Sequence, residues 1–235
     1  PDTYALAGEF FRWEFGTAIA GHCMALNPFD EPNVAEAKEA TNHKLDYFRE
    51  HGELQPHAPI ISGEHAKLYM DDSTANPLRE LCQSHGYDPS SRTEVLAAQM
   101  AGTHAGDYFA ILVYFTPDEK AEAMLHEIRQ RLSSITKRAV TVGYGPRYLH
   151  STGQLHKGGA NNGIFFQLTT NTDDDLAIPD ADYGFGTLFK AQATGDLETL
   201  QKHQRRVIRI QIDDDVHNGL QKLLDAVKFV EDRRF

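Results

Sequence analysis

Tyr108-Phe109-Ala110-Ile111-Leu112-Val113-Tyr114-Phe115-Thr116-Pro117-Asp118-Glu119 sets a strand, a turn and a helix start in direct succession. The first eight residues are continuously apolar and rich in aromatic and branched side chains, which suits a strand buried on both faces. Thr116 reads as an N-cap with Glu119 three residues on, and a helix is expected to about Ser134. Working outward, Ala139–Gly143, Gly163–Thr169 and Arg206–Ile212 repeat the strand signal. Helices are expected at 148–157, 186–204 and 216–231 between and after them. Upstream, Asn76–Ser84 and Thr93–Thr103 read as helices, the second capped by Thr93. Strands alternating with helices predict an α/β fold, a mostly parallel sheet covered on both faces. Ligand sites in such sheets lie at the carboxyl ends of the strands.

The N-terminal part has a different grain. Residues 4–26 form a helix that is apolar nearly all round (Leu6, Phe10, Phe11, Trp13, Phe15, Ile19, Met24), so burial on several sides is expected. Glu14 within it then needs a partner, for which Arg12 and Lys38 are candidates. A second helix is expected over 32–50, with Asp30 as N-cap, Pro32 in the first turn and Gly52 as the C′ residue. Its inward stripe counts as Val34, Lys38, Thr41, Leu45, Phe48, and lysine is the odd member. Such a lysine either snorkels, with its stem buried and its ammonium in water, or aims the ammonium into a cleft. Residues 51–63, with Pro56 and Pro59, read as a connector. The domains are accordingly 1–63, a helical segment carrying Lys38, and 75–235, the α/β part.

Composition bounds the function. The 235 residues carry a formal net charge of −11, which repels nucleic acid and anionic lipid. Neither a membrane-spanning run nor a signal peptide is present, so a cytoplasmic location is expected. The chain opens on Pro before a helix, which suggests a piece of something longer. Cys23 and Cys82 have no metal or redox spacing and read as free, buried thiols. The 12 histidines form no metal-ligand motif. Asp173–Asp175 and Asp213–Asp215 read as solvated turns rather than cation sites.

The second informative stretch follows the second strand. Gly143-Tyr-Gly-Pro-Arg147-Tyr-Leu-His150-Ser151-Thr152-Gly153-Gln154-Leu-His156-Lys157-Gly158-Gly159 collects glycines, hydroxyls, cations and a helix start. Anion sites are made from such parts, but the glycine spacing fits neither a Walker loop nor a dinucleotide turn. Two readings stand: a site in which Arg147, His150, Ser151, Thr152, Gln154, His156 and Lys157 bind substrate, or a strand–helix connection whose polar groups cap and solvate.

Trp13-Glu14, Asn27-Pro28-Phe29-Asp30-Glu31, Val34 and Lys38 resemble the C-terminal end of the glucose-6-phosphate isomerase family. There an aromatic–Glu helix leads through an Asn-x-Phe-Asp-Gln turn to a helix with an active-site lysine. Glu31 stands where Gln is frequent, and Pro32-Asn33 replaces a Trp-Gly pair. Residues 145–159 and Phe185-Gly186-Thr187-Leu188 resemble the extra tail of bifunctional transaldolase/phosphoglucose isomerase fusions. The resemblance implies that Lys38 is catalytic in the isomerisation of glucose 6-phosphate and fructose 6-phosphate through a cis-enediol, without a cofactor. It also implies upstream transaldolase and sugar-isomerase domains as partners, a sugar phosphate as ligand, and a homodimer as an option. The glutamate base and the phosphate loop of the family have no counterparts in these residues. The alternative function is a non-catalytic α/β module that binds a sugar phosphate or acts as a scaffold.

Overall fold

The structure is a computed structural model that describes residues 2–171, 175–213 and 215–233. It divides into two compact units, Pro1–Pro32 and Asn33–Phe235. The expected boundary between 63 and 75 falls inside the second unit, so Lys38 shares a unit with the sheet.

The first unit is the helix α1 (Ala5–Cys23) and the turn after it. The expectation of burial fails here. Trp13 is 74% exposed, Phe11 68% and Phe10 60%, and Glu14 and Cys23 are exposed as well. Arg12 pairs with Glu9 one turn away (2.5 Å), not with Glu14. A helix that is apolar on every side reads the same whether or not something encloses it, which is why the pattern misled.

The second unit starts with α2 (Pro32–His51), stopped by Gly52 at a φ of +76° that favours glycine. There follow β1 (Ala66–Tyr69), α3 (Asp72–His85), α4 (Arg92–Ala101), β2 (Tyr108–Tyr114), α5 (Glu119–Thr136) and β3 (Ala139–Tyr144). After a short 3₁₀ helix (Arg147–His150) come α6 (Thr152–Gly158), β4 (Gly163–Thr170), α7 (Phe185–Lys202), β5 (Arg206–Ile212) and α8 (Val216–Asp232). The sheet order is β1-β5-β4-β2-β3, parallel except for the edge strand β1, which is antiparallel to β5. Strand β1 escaped the sequence reading because four residues, one of them Lys67, make too short a run to register. The helix starts are shifted too. Asp118 rather than Thr116 accepts from Ala121 N (2.8 Å), and Ser91 rather than Thr93 caps α4.

Alternation along the strands sorts side chains to two faces. Phe109, Ile111, Val113, Ile164, Phe166, Leu168, Ile208, Ile210 and Ile212 face α3, α4, α5 and α8 in the larger core. Ala110, Leu112, Tyr114, Phe165 and Val207 face α7 and the 3₁₀ helix in the smaller one. The connection leaving β2 runs to the first face and that leaving its neighbour β4 to the second. The carboxyl ends of β2 and β4 are thus a topological switch point, where a crevice is left open.

Helix α2 lies along α7. A Cβ on Gly195 would come within 2.8 Å of Thr41 N, so the approach needs a residue without one. The buried members of α2 are Val34, Ala37, Thr41, Lys44 and Leu45, with Phe48 half-buried. The lysine on the inward stripe is therefore Lys44, and Lys38 sits exposed at its rim. The sequence count favoured Lys38 because Ala37, small enough for this close packing, carries little hydrophobic signal.

Candidate functional site

The Gly143–Gly159 run splits into an outer and an inner half. On the outside, Arg147 is exposed and lies over the Tyr144 ring, 5.7 Å from its centroid. Ser151 Oγ donates to Tyr148 O (3.3 Å), and Thr152 is exposed at the start of α6. Gln154 docks this segment onto α2: its Oε1 accepts from Asn33 N (3.0 Å) and its Nε2 donates to Asn33 Oδ1 (2.8 Å). His150 is exposed and lines a cavity of about 190 Å³ together with Lys38, Tyr183 and Gln192, above a floor of Val34, Leu149 and Leu188. The structure thus brings Lys38 and His150 to one depression. Arg147, Ser151, Thr152, Gln154, His156 and Lys157 do not line it.

The inner half is a buried polar network between the sheet and α7. Lys157 is 1% exposed, and its ammonium lies 2.5 Å from Asp196 Oδ1. Lys157 is neither solvated nor open to a ligand, as the two sequence readings had it; it is an internal ion pair. The Tyr148 hydroxyl donates to the other oxygen of Asp196 and lies 3.2 Å from the Tyr114 hydroxyl. Burial, and next the Asp196 charge, push both phenols well above the usual tyrosine range, so they stay neutral hydroxyls. The buried His156 has its Nδ1 2.9 Å from the Tyr108 hydroxyl, and burial pushes the imidazole down to about 4. Lys157 adds to that drop and Asp196 opposes it.

Gln167 and Arg209 extend the network across β4 and β5. Gln167 Nε2 donates to Ala193 O (2.9 Å), and Arg209 Nε donates to Gln167 Oε1 (2.7 Å). Arg209 also donates to Ala193 O (2.8 Å), and burial pushes its guanidinium down to about 10. Sequence reasoning missed Arg209 and Asp196, although a signal was present. In Arg206-Val-Ile-Arg-Ile-Gln-Ile212 one set of alternate positions, after Arg206 at the strand's start, is Ile208, Ile210 and Ile212, while the other is Val207, Arg209, Gln211. A strand enclosed on both faces that keeps an arginine at its centre must supply polar partners for it.

Two further expectations concern metals and acid runs. Among the described residues no group of three or more His, Cys, Asp or Glu side chains converges as a metal site. Asp173, Asp174 and Asp214 lie outside the described residues. Their neighbours have structural work: Asp175 accepts from Gly186 N and Thr187 N at the start of α7, Asp213 pairs with Lys67 (2.9 Å), and Asp215 caps α8. Among the described residues no helix is long and apolar enough to cross a membrane.

No family model matches the sequence, and no curated protein matches it. Among solved structures, hypothetical protein TT0462 from Thermus thermophilus superposes with a TM-score of 0.51 at 17% identity. The match covers 68% of this chain and 44% of that one, so it spans less than half of that protein's length. At this identity the likeness shows the fold alone.

Proposed function

We propose that this chain supplies Lys38 to a glucose-6-phosphate isomerase site and belongs to a transaldolase/phosphoglucose isomerase fusion. The observation that carries the reading is the shared cavity of Lys38 and His150. One residue comes from the turn-and-helix motif that resembles the isomerases, and the other from the run that resembles the fusion tail. A cation and an imidazole on one rim are the groups that ring opening of a hexose phosphate uses: one holds an oxygen, the other moves its proton.

Proton transfer between C1 and C2 needs a carboxylate base, and the family's base has no counterpart here. Residues 1–235 alone are therefore expected to show no measurable isomerisation in a coupled assay. Loss of a positioned base alone removes a factor of roughly 10²–10⁴. Turnover by this chain comparable to that of a complete isomerase overturns the expectation of inactivity and with it the absence of the base from these residues. In the longer protein, Lys38→Ala is expected to depress kcat strongly, and an unchanged rate rejects the lysine's assignment.

A further inference from the structure

We propose that the crevice at the carboxyl end of β4, between α7 and β5, binds a small phosphate monoester through Arg209. The crevice has a volume of about 290 Å³ and includes Tyr114 at the end of β2, so it occupies the switch point of the sheet. It is separate from the Lys38 cavity, and the two share no lining residue.

Charge is the first argument. The chain as a whole is strongly acidic, yet the described lining of this crevice holds Arg209 and Lys190 and not one Asp or Glu; His57 also lines it, and burial pushes its imidazole down, toward the neutral form. Arg209 is 7% exposed, and all its hydrogen-bond acceptors are neutral: Gln167 Oε1, Ala193 O and, at 3.5 Å, Thr194 Oγ1. No carboxylate lies within ion-pair distance of it among the described residues. The two acids whose fields reach it are engaged elsewhere, Asp196 by Lys157 at 2.5 Å and Glu198 by Lys44 at 2.6 Å. A buried guanidinium left without a counter-ion is costly unless a ligand supplies one.

Donors are the second argument. Thr169 is 9% exposed and lines the crevice, and its Oγ1 is buried with no partner among the described residues. Thr170, Asn171 and Gln211 add polar groups on the same wall. A carboxylate offers two acceptor oxygens, whereas a phosphate offers three on a tetrahedron, which suits donors converging from β4, β5 and α7. Tyr114, Phe189 and Leu54 form the apolar remainder and give an organic body something to rest on. At about 290 Å³ the crevice has room for a small phosphate ester.

The test is calorimetric titration of the 235-residue chain, with amide chemical shifts mapping the site. Glycerol 3-phosphate, glucose 6-phosphate, inorganic phosphate, glycerol and acetate serve as probes. Glycerol 3-phosphate is expected to bind, to shift Thr169, Asn171 and Gln211, and to weaken as salt is raised. Arg209→Lys keeps the charge but loses the fork, so binding should fall; because Arg209 is buried, that variant alone is not decisive. Asn171→Asp changes an exposed residue and puts a negative charge on the wall, so it should weaken binding about tenfold with the urea midpoint unchanged. No binding at millimolar ester, equal binding by Asn171→Asp, or tighter binding of acetate or glycerol than of the ester overturns the proposal. Inorganic phosphate binding as tightly as both esters overturns it too, since the apolar wall would then contribute nothing. Each of these outcomes is independent of Lys38 and of the isomerase reading.

Discussion

At the scale of single residues, the buried pair Lys157–Asp196 is the point of greatest leverage. Removing one partner leaves an isolated charge where water cannot reach it, which costs about 3–5 kcal/mol. Lys157→Met is therefore expected to lower stability by about that amount in urea denaturation. Lys157→Met combined with Asp196→Leu should recover much of it, because no unpaired charge remains. His156 gives the matching pH prediction. Its folded pKa of about 4 lies below the ordinary value of 6.5, so below pH 6.5 the unfolded chain binds the proton that the folded one refuses. Stability is complete above pH 6.5, falls as pH drops, and has lost about 3 kcal/mol by pH 4. Glu36 and Asp107 are pushed down from carboxylate values, so their titration acts at lower pH and leaves the upper part of this window to His156 and to His57, whose imidazole burial also pushes down. His156→Gln should flatten the dependence of stability on pH between 6.5 and 5; an unaltered slope there would refute the assignment.

At the scale of elements, two contacts decide how the helices are set. Asp118 caps α5 and also lies 3.0 Å from His217 Nε2 in the first turn of α8. Asp118→Ala is expected to cost about 1–2 kcal/mol, through the lost cap and the lost link between the two helices. Gly195→Ala should cost more than its helix propensity would gain, because the new methyl meets the backbone of Thr41 and only a shift of α2 relieves it. That shift would carry Lys38 with it, so a change in the chemical shifts around Lys38 and His150 is the measurement. These elements also show what the sequence made legible. β2 stood out because a strand buried on both faces is written as an unbroken apolar run, and β4 and β5 by their branched and aromatic residues in spite of Gln167, Arg209 and Gln211. The capping residue of α5 did not, because Thr-Pro-Asp-Glu offers two acceptors in a row and only the backbone decides which is the last non-helical one. The Lys38–His150 cavity was half legible: each residue lay in a flagged motif, but their meeting depends on how α2 lies against the 3₁₀ helix. Lys157 and Arg209 were illegible as to role, since a cation reads alike on a surface and in a core until its distant partner is located.

At the scale of the whole molecule, the exposed apolar side chains of the first unit are the main liability. Phe10, Phe11, Trp13 and Phe15 follow each other closely on α1, and contiguous exposed apolar surface promotes association. Replacing Phe11 and Trp13 with serine is expected to reduce the light scattering of concentrated protein while leaving the unfolding free energy of the sheet unit unchanged within about 0.5 kcal/mol.

The pairing of β1 with β5 has a consequence in time. Lys67 and Asp213, joined across that edge, are 146 residues apart in the chain. At about 5–20 residues per second, a ribosome needs roughly 7–30 s to make β5 after β1 has emerged. For that interval Leu68, fully buried in the finished fold, has no strand to lie beside. The edge of the sheet can thus close only late in synthesis, at a rate set by translation rather than by hairpin formation.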